Sequence, residues 1–284
     1  MKTFATTCVL AVMAMAAGAA APVPKLFVAG DSTASTYKEN PKNQQGWGAV
    51  LQPFFDEKKL QVVNLARGGR SSRTFITEGH WERLLMQLSA GDFVIIQFGH
   101  NDAGAVNEEP PGSTRPLRAR GTIPGIGDES QEIDNVLTGQ HETVYSYGAY
   151  LRRMISDVRA RGATPILMTL TKTNHFDDGR IPCPLSAYRL WTWQTSVAER
   201  TPLVDLTRQI ADRYQREGAE RVTAQFINDT VHTNLAGAEA NSADVVAALR
   251  ADRSLPFRSM LSKRGRAVAA DRGPPKDSVC APLR

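Results

Sequence analysis

Cysteine is scarce in this chain of 284 residues: there are three, Cys8, Cys183 and Cys280. None has a Cys-x-x-Cys or Cys/His spacing, so the sequence offers no zinc module. Long apolar runs are absent too. The longest, from Cys8 to about Ala17, is shorter than the roughly 20 residues a membrane-spanning helix needs. No internal repeat is visible, which sets aside solenoids and propellers. The Gly-x-Ser-x-Gly elbow of α/β-hydrolases is also missing. Charge is not in such excess as to prevent folding: 42% of residues are hydrophobic and 22% charged, enough apolar material for a sizeable core.

The N-terminus carries a targeting pattern. Lys2 precedes the apolar run, and Ala17-Gly18-Ala19-Ala20-Ala21 follows it. This reads as a signal peptide over 1–21, cleaved near Ala19 to Ala21, and it predicts a secreted or periplasmic protein with no membrane span after cleavage. Removal of the leader leaves Cys183 and Cys280. In an oxidising compartment they are candidates for a disulfide that pins the C-terminal tail; two free thiols fit the sequence equally well. The net charge of +5 draws heavily on Lys263, Arg264, Arg266, Arg272, Lys276 and Arg284. This marks 253–284 as a basic tail outside the core, a solvated or adhesive segment and not a reader of nucleic-acid bases.

Between leader and tail, 22–252 reads as one domain. Buried strands are predicted at Lys25–Ala29, Leu60–Asn64, Asp92–Phe98, Thr164–Thr169 and Pro202–Asp205, each a short apolar run next to a turn signal. Helical spacing lies between them. Val144, Tyr147, Leu151, Met154, Ile155 and Val158 mark one helix face; Trp81, Leu84, Leu85 and Leu88 mark another; a last helix spans about Ala236 to Arg250. Alternating strands and helices predict a three-layer α/β/α sandwich around a parallel sheet of about five strands. Asn107 to Gly139 has neither period and reads as an irregular loop near the site.

Ligands of open α/β sheets sit beyond the carboxyl ends of the strands, and the polar clusters fall there or in a late loop. Ser32, in Gly30-Asp-Ser-Thr-Ala34, is a candidate nucleophile that needs a neighbouring base; a helix N-cap is the competing reading. Gly68-Gly69 permits a backbone N–H to approach a ligand. Asn101, in Gly99-His-Asn-Asp102, offers an amide donor for an oxyanion. His100 and Asp102 suggest a metal pair, but no further ligand stands at a suitable spacing, so neither metal nor organic cofactor is expected. Asp229 lies three residues before His232, close enough to fix the imidazole tautomer.

Taken together, these segments resemble the SGNH (GDSL-like) hydrolase family, which has a flavodoxin-like α/β/α fold. The four family residues match Ser32, a glycine of the Gly68-Gly69 pair, Asn101 and His232, and Gly69-Arg70-Ser71 favours Gly69. Gly46-Trp-Gly48, Phe98-Gly-His-Asn-Asp102, His232-Thr233 and Arg120-Gly-Thr-Ile-Pro-Gly-Ile-Gly127 are similar to the rhamnogalacturonan acetylesterase branch. The likeness covers roughly Leu26 to Leu249 and omits the tail. It implies a serine acetylesterase with the triad Ser32, His232 and Asp229. Ser32, Gly69 and Asn101 would form the oxyanion hole, and the partner would be an acetylated polysaccharide, rhamnogalacturonan or pectin first. Alternatives are an acetylxylan esterase, a broader esterase or lipase, and a non-catalytic carbohydrate-binding protein on the same scaffold. Arg70, Trp47 and His100 are the candidate substrate contacts. Trp47, Trp191 and Trp193 would serve as sugar platforms, with core packing the competing reading for each, and Arg70, Arg73 and Arg120 would meet uronate carboxylates, with a surface position of no specific role the competing reading.

Overall fold

The computed structural model describes residues 22–40, 42–114 and 116–283. The predicted leader, 1–21, and its predicted cleavage region lie outside these residues. Seven strands occur among them: β1 (Lys25–Gly30), β2 (Gln61–Asn64), β3 (Phe93–Gln97), β4 (Ser130–Asp134), β5 (His141–Tyr145), β6 (Thr164–Met168) and β7 (Leu203–Val204). Five form one parallel sheet in the order β2-β1-β3-β6-β7, while β4 and β5 make a separate antiparallel pair.

The parallel strands are apolar at consecutive positions because both faces of the sheet are covered. In β1, Leu26 and Val28 join a core with Ile95, Ile166, Ile210 and Val245, whereas Phe27 and Ala29 join a second core with Val94, Ile96, Trp81 and Met154. The second core is closed by α1 (Ser72–Thr77), α2 (His80–Leu85), α3 (Tyr147–Ala160) and α4 (Ala187–Ala198). The first is closed by α5 (Leu206–Glu217), the short α6 (Ala219–Thr223) and α7 (Leu235–Ala251). The chain is therefore the expected three-layer sandwich around five parallel strands.

Register decides where the chemistry lies. Gly30 at the end of β1 pairs with Gln97 at the end of β3. The chain leaves both strands at one level, so the turn around Ser32 and the loop around Asn101 start side by side.

Three expectations need correction. The segment from Asn107 to Gly139 is not wholly irregular, because it contains β4. Only Ile133 of that strand is buried, so no apolar alternation announces it. Val144 belongs to β5 and not to the following helix. That helix starts after Ser146, whose side chain caps it by accepting from the Ala149 N–H. The basic tail does not lie outside the core. Leu255, Phe257 and Leu261 are buried against the first core, through the short helices α8 (Phe257–Met260) and α9 (Lys263–Ala267). A disulfide joins Cys280 to Cys183, and Arg189 donates to the Ala281 carbonyl at 2.8 Å.

Candidate active site

Ser32 sits in the turn that leaves β1. Its neighbour Asp31 is buried and braces that turn: one carboxylate oxygen accepts from the backbone N–H and the hydroxyl of Thr33, both at 2.8 Å. The Asp31 carbonyl accepts from the Ser35 hydroxyl at 2.8 Å. Tyr37 holds the far side, donating to the Ser32 carbonyl at 3.1 Å. These bonds fix the backbone and leave the Ser32 hydroxyl facing the opening.

The imidazole arrives from a loop 200 residues later. His232 Nε2 lies 3.0 Å from Ser32 Oγ, and Nδ1 lies 2.7 Å from Asp229 Oδ2. The other Asp229 oxygen accepts from the backbone N–H groups of Val231 and His232, at 2.8 and 2.7 Å. Burial pushes the Asp229 carboxyl up. The N–H groups of the loop and the imidazole outweigh it, so the group stays below its usual range and remains a carboxylate. The loop is stitched at its ends, where Ile227 N–H donates to the His232 carbonyl at 3.0 Å and Gln45 N–H to the Thr233 carbonyl at 2.8 Å. A hydroxyl hydrogen-bonded to an imidazole that a carboxylate orients from behind can lose its proton as it attacks a carbonyl.

The opposite wall supplies donors. Gly69 has φ +77, a left-handed conformation that suits glycine. Among the described residues, neither the Gly69 nor the Ser32 backbone N–H donates to a protein acceptor. Asn101 is buried and spends one amide hydrogen on the Arg70 carbonyl at 2.8 Å, leaving its second available. Asp102 ties this wall together. Its carboxyl accepts from Ser72 N–H at 3.0 Å and from Gly99 N–H at 3.0 Å, so it joins the loop after β3 to the start of α1. Burial outweighs these bonds and raises its pKa to about 7. Ser32, Gly69, Asn101 and His232 line a single open cleft of about 590 Å³.

The model of the GDSL-like lipase/acylhydrolase family matches residues 28–240, well over half of the chain. The chain belongs to this family. The probable rhamnogalacturonan acetylesterase YesY of Bacillus subtilis is 31% identical over 218 residues, 75% of this chain and 86% of that one. The rhamnogalacturonan acetylesterase of Emericella nidulans is 29% identical over 212 residues, 75% of this chain and 79% of that one. Among solved structures, the Bacillus subtilis protein YxiM superposes with a TM-score of 0.63 at 27% identity. The match covers 79% of this chain and 55% of YxiM, so the chain spans about half of that structure. These relationships make the protein an esterase.

The GDSL-like esterase uses several of the expected substrate contacts otherwise. Trp47 is fully buried, and its Nε1–H donates to Gln97 Oε1 at 2.8 Å; it is a core residue beneath the site. His100 does not line the cleft of Ser32. Its Nε2 lies 3.0 Å from Thr171 Oγ1, it borders a neighbouring cavity, and burial pushes its pKa below the usual range. Arg73 is fully buried and pairs with Glu142, so it cannot meet a ligand. Trp191 packs edge-on to Tyr188 beside the second core, and Trp193 is partly buried in the same helix. Arg70 does reach the cleft, held by Glu78 at 2.8 Å and by the Gly68 carbonyl at 2.9 Å. Arg120 reaches it as well and donates to the Gly69 carbonyl at 3.0 Å. Sequence reasoning missed Arg118, Leu117 and Leu137 in the cleft wall. They lie in a segment without periodicity, and no local signal marks them.

Proposed function

We propose that this esterase removes acetyl groups from a pectic polysaccharide, rhamnogalacturonan foremost, by way of an acetyl-enzyme. The observation that carries the reading is the Ser32 hydroxyl 3.0 Å from His232 Nε2, with Asp229 at 2.7 Å on the other ring nitrogen. In the proposed reaction His232 takes the serine proton as Oγ attacks the acetyl carbonyl. Asp229 steadies the imidazolium. The N–H groups of Ser32 and Gly69 and the free Asn101 amide hydrogen stabilise the oxyanion. His232 then gives its proton to the departing sugar oxygen, and a water repeats the cycle on the acetyl ester.

The substrate class is supported by the names of the relatives and by the open cleft, which is lined by Arg70, Arg118 and Arg120. Export is supported by the leader pattern and by the Cys183–Cys280 disulfide, a bond suited to an oxidising compartment. The test is acetate release from acetylated pectins, xylans and mannans by the protein and by Ser32→Ala. Release should be greatest on pectic substrates and almost vanish in the variant. Full activity in a clean Ser32→Ala preparation would refute the mechanism. One observation favours a second reading: Leu117 and Leu137, 43% and 55% exposed, border the cleft and suit a longer acyl chain. Faster hydrolysis of octanoate than of acetate esters would select it.

A further inference from the structure

Arg118 and Arg120 border two cavities at once. One is the cleft of Ser32; the other, of about 330 Å³, is lined also by His100, Gly104, Glu109 and Pro116. Arg120 is anchored through the Gly69 carbonyl, beside the turn that presents the Gly69 N–H. Ala119 between the two arginines is buried and held at φ +41, a left-handed conformation that costs a non-glycine residue energy. Strained backbone of this kind persists where the surrounding structure enforces it, and it is concentrated at ligand sites.

The charges are arranged for a visitor. Among the described residues, no carboxylate oxygen lies within 4.0 Å of either guanidinium. Glu109 borders the smaller cavity but stands beyond that distance. Burial lowers the Arg120 pKa, and the charge of Arg118 lowers it further, so the two guanidinium groups repel each other. Asp31, Asp102 and Glu109 attract Arg120 from a distance without pairing with it, so two like charges at the rim of a catalytic cleft keep donors free for an anion supplied from outside. A guanidinium fork matches a carboxylate in shape and donor spacing.

We propose that Arg118 and Arg120 form a carboxylate-binding subsite through which the esterase selects acetylated polymers that carry uronate residues. This rests on the acetylesterase reading of Ser32 and specifies its substrate class. Arg118 is the residue to test, since it is exposed and, among the described residues, its side chain makes no hydrogen bond or ion pair whose loss would unfold the chain. An acetylated rhamnogalacturonan oligosaccharide should be compared with the same material after its carboxyl groups are reduced to neutral alcohols. The wild-type enzyme should favour the acidic form in kcat/KM. Arg118→Gln should shrink that preference about tenfold, mainly through KM, and Arg118→Glu should reverse it. Equal rates on the two forms in wild type, or an undiminished preference in Arg118→Gln, would overturn the subsite.

A second measurement does not depend on turnover. In the Ser32→Ala background, an unacetylated galacturonate oligomer should bind, and adding Arg118→Gln should weaken its Kd about tenfold. Unchanged affinity overturns the subsite whatever the catalytic result. Acetate release that survives Ser32→Ala overturns the mechanism instead, so the two failures are separable.

Discussion

Replacing Arg73 with Met should lower stability by about 3–5 kcal/mol, because it breaks a buried ion pair from one side. The guanidinium is fully buried. Its Nε and Nη2 each donate to Glu142 at 2.7 Å, and Nη1 donates to the carbonyls of Val106 at 2.6 Å and Gly121 at 2.9 Å. One side chain thus ties α1 to β5 and to the loop that leads into Arg120. Without it, among the described residues, the Glu142 carboxylate keeps only the Asn135 amide, at 3.1 Å. At about 2–4 °C per kcal/mol for a large domain, Tm should fall by roughly 6–20 °C. The pH dependence provides a further check. Burial raises the Glu142 carboxyl, and Arg73 with Asn135 outweighs it and lowers the pKa. Its folded value therefore lies below its unfolded one. The associated stability is present above the unfolded value and is lost as pH falls through the folded one. Without Arg73 burial wins and the variant's Glu142 carboxyl rises above its unfolded value, so the gap between wild type and variant should begin to narrow above the ordinary carboxylate range and go on narrowing until Glu142 is protonated in wild type too. Arg73→Met combined with Glu142→Leu should recover much of the loss. Urea melts across pH supply the measurements. A Tm within a degree or two of wild type, together with a raised KM, would refute this reasoning and make Arg73 a substrate ligand.

Other consequences can be measured in the same preparations. Asn101→Ala should reduce kcat by about 100- to 1,000-fold, the usual loss of one oxyanion donor, with KM little altered; a loss under about fivefold in steady-state acetate release would remove Asn101 from that role. The Asp102 carboxyl, raised to about 7, keeps in the fold a proton that the unfolded chain has already released. Its contribution therefore favours the fold below about pH 4 and fades as pH climbs towards 7. Over that window wild type should lose stability relative to Asp102→Asn by up to about 1.4 kcal/mol per pH unit, and parallel pH curves from denaturant melts would contradict this. The disulfide closes a loop of 97 residues, for which chain entropy predicts about 4–5 kcal/mol. Reductant should lower the urea midpoint of wild type and leave that of Cys280→Ser unmoved.

Much of the fold was legible because burial on both faces imposes a pattern that needs no partner to be recognised. Phe93 to Gln97 is buried throughout, and a short, mainly apolar run with no exposed position fits a covered parallel strand. β4 shows the converse. Ser-Gln-Glu-Ile-Asp has one buried position, because the strand lies on the surface and its hydrogen bonds come from β5. Val144 happens to stand three residues before Tyr147, so helical spacing extends backwards across a boundary that only the Ser146 cap reveals. In the tail, Leu255, Phe257 and Leu261 are diluted among basic residues. Composition there reports the solvent side, while Phe257 lies between Phe55 and Phe93.

The site divides along a similar line. Ser32 and Asn101 are readable because each follows a strand of a sheet whose ends converge, and His232 because an Asp at the right spacing accompanies it just before a helix. Topology supplies the meeting, and residue type supplies the chemistry. Trp47 stays between sugar platform and core, and Arg73 is misjudged, because residue type alone does not distinguish a side chain that faces a ligand from one that fills or clamps the core. Each is buried by contacts formed far along the chain, with Gln97 and Glu142. Arg118 was missed for the opposite reason. It lies in a segment with no period and no cap, and its importance comes from standing beside Arg120 without a carboxylate. An unmet charge of this kind is a property of the folded surroundings, so reading it requires the folded chain and not a longer list of motifs.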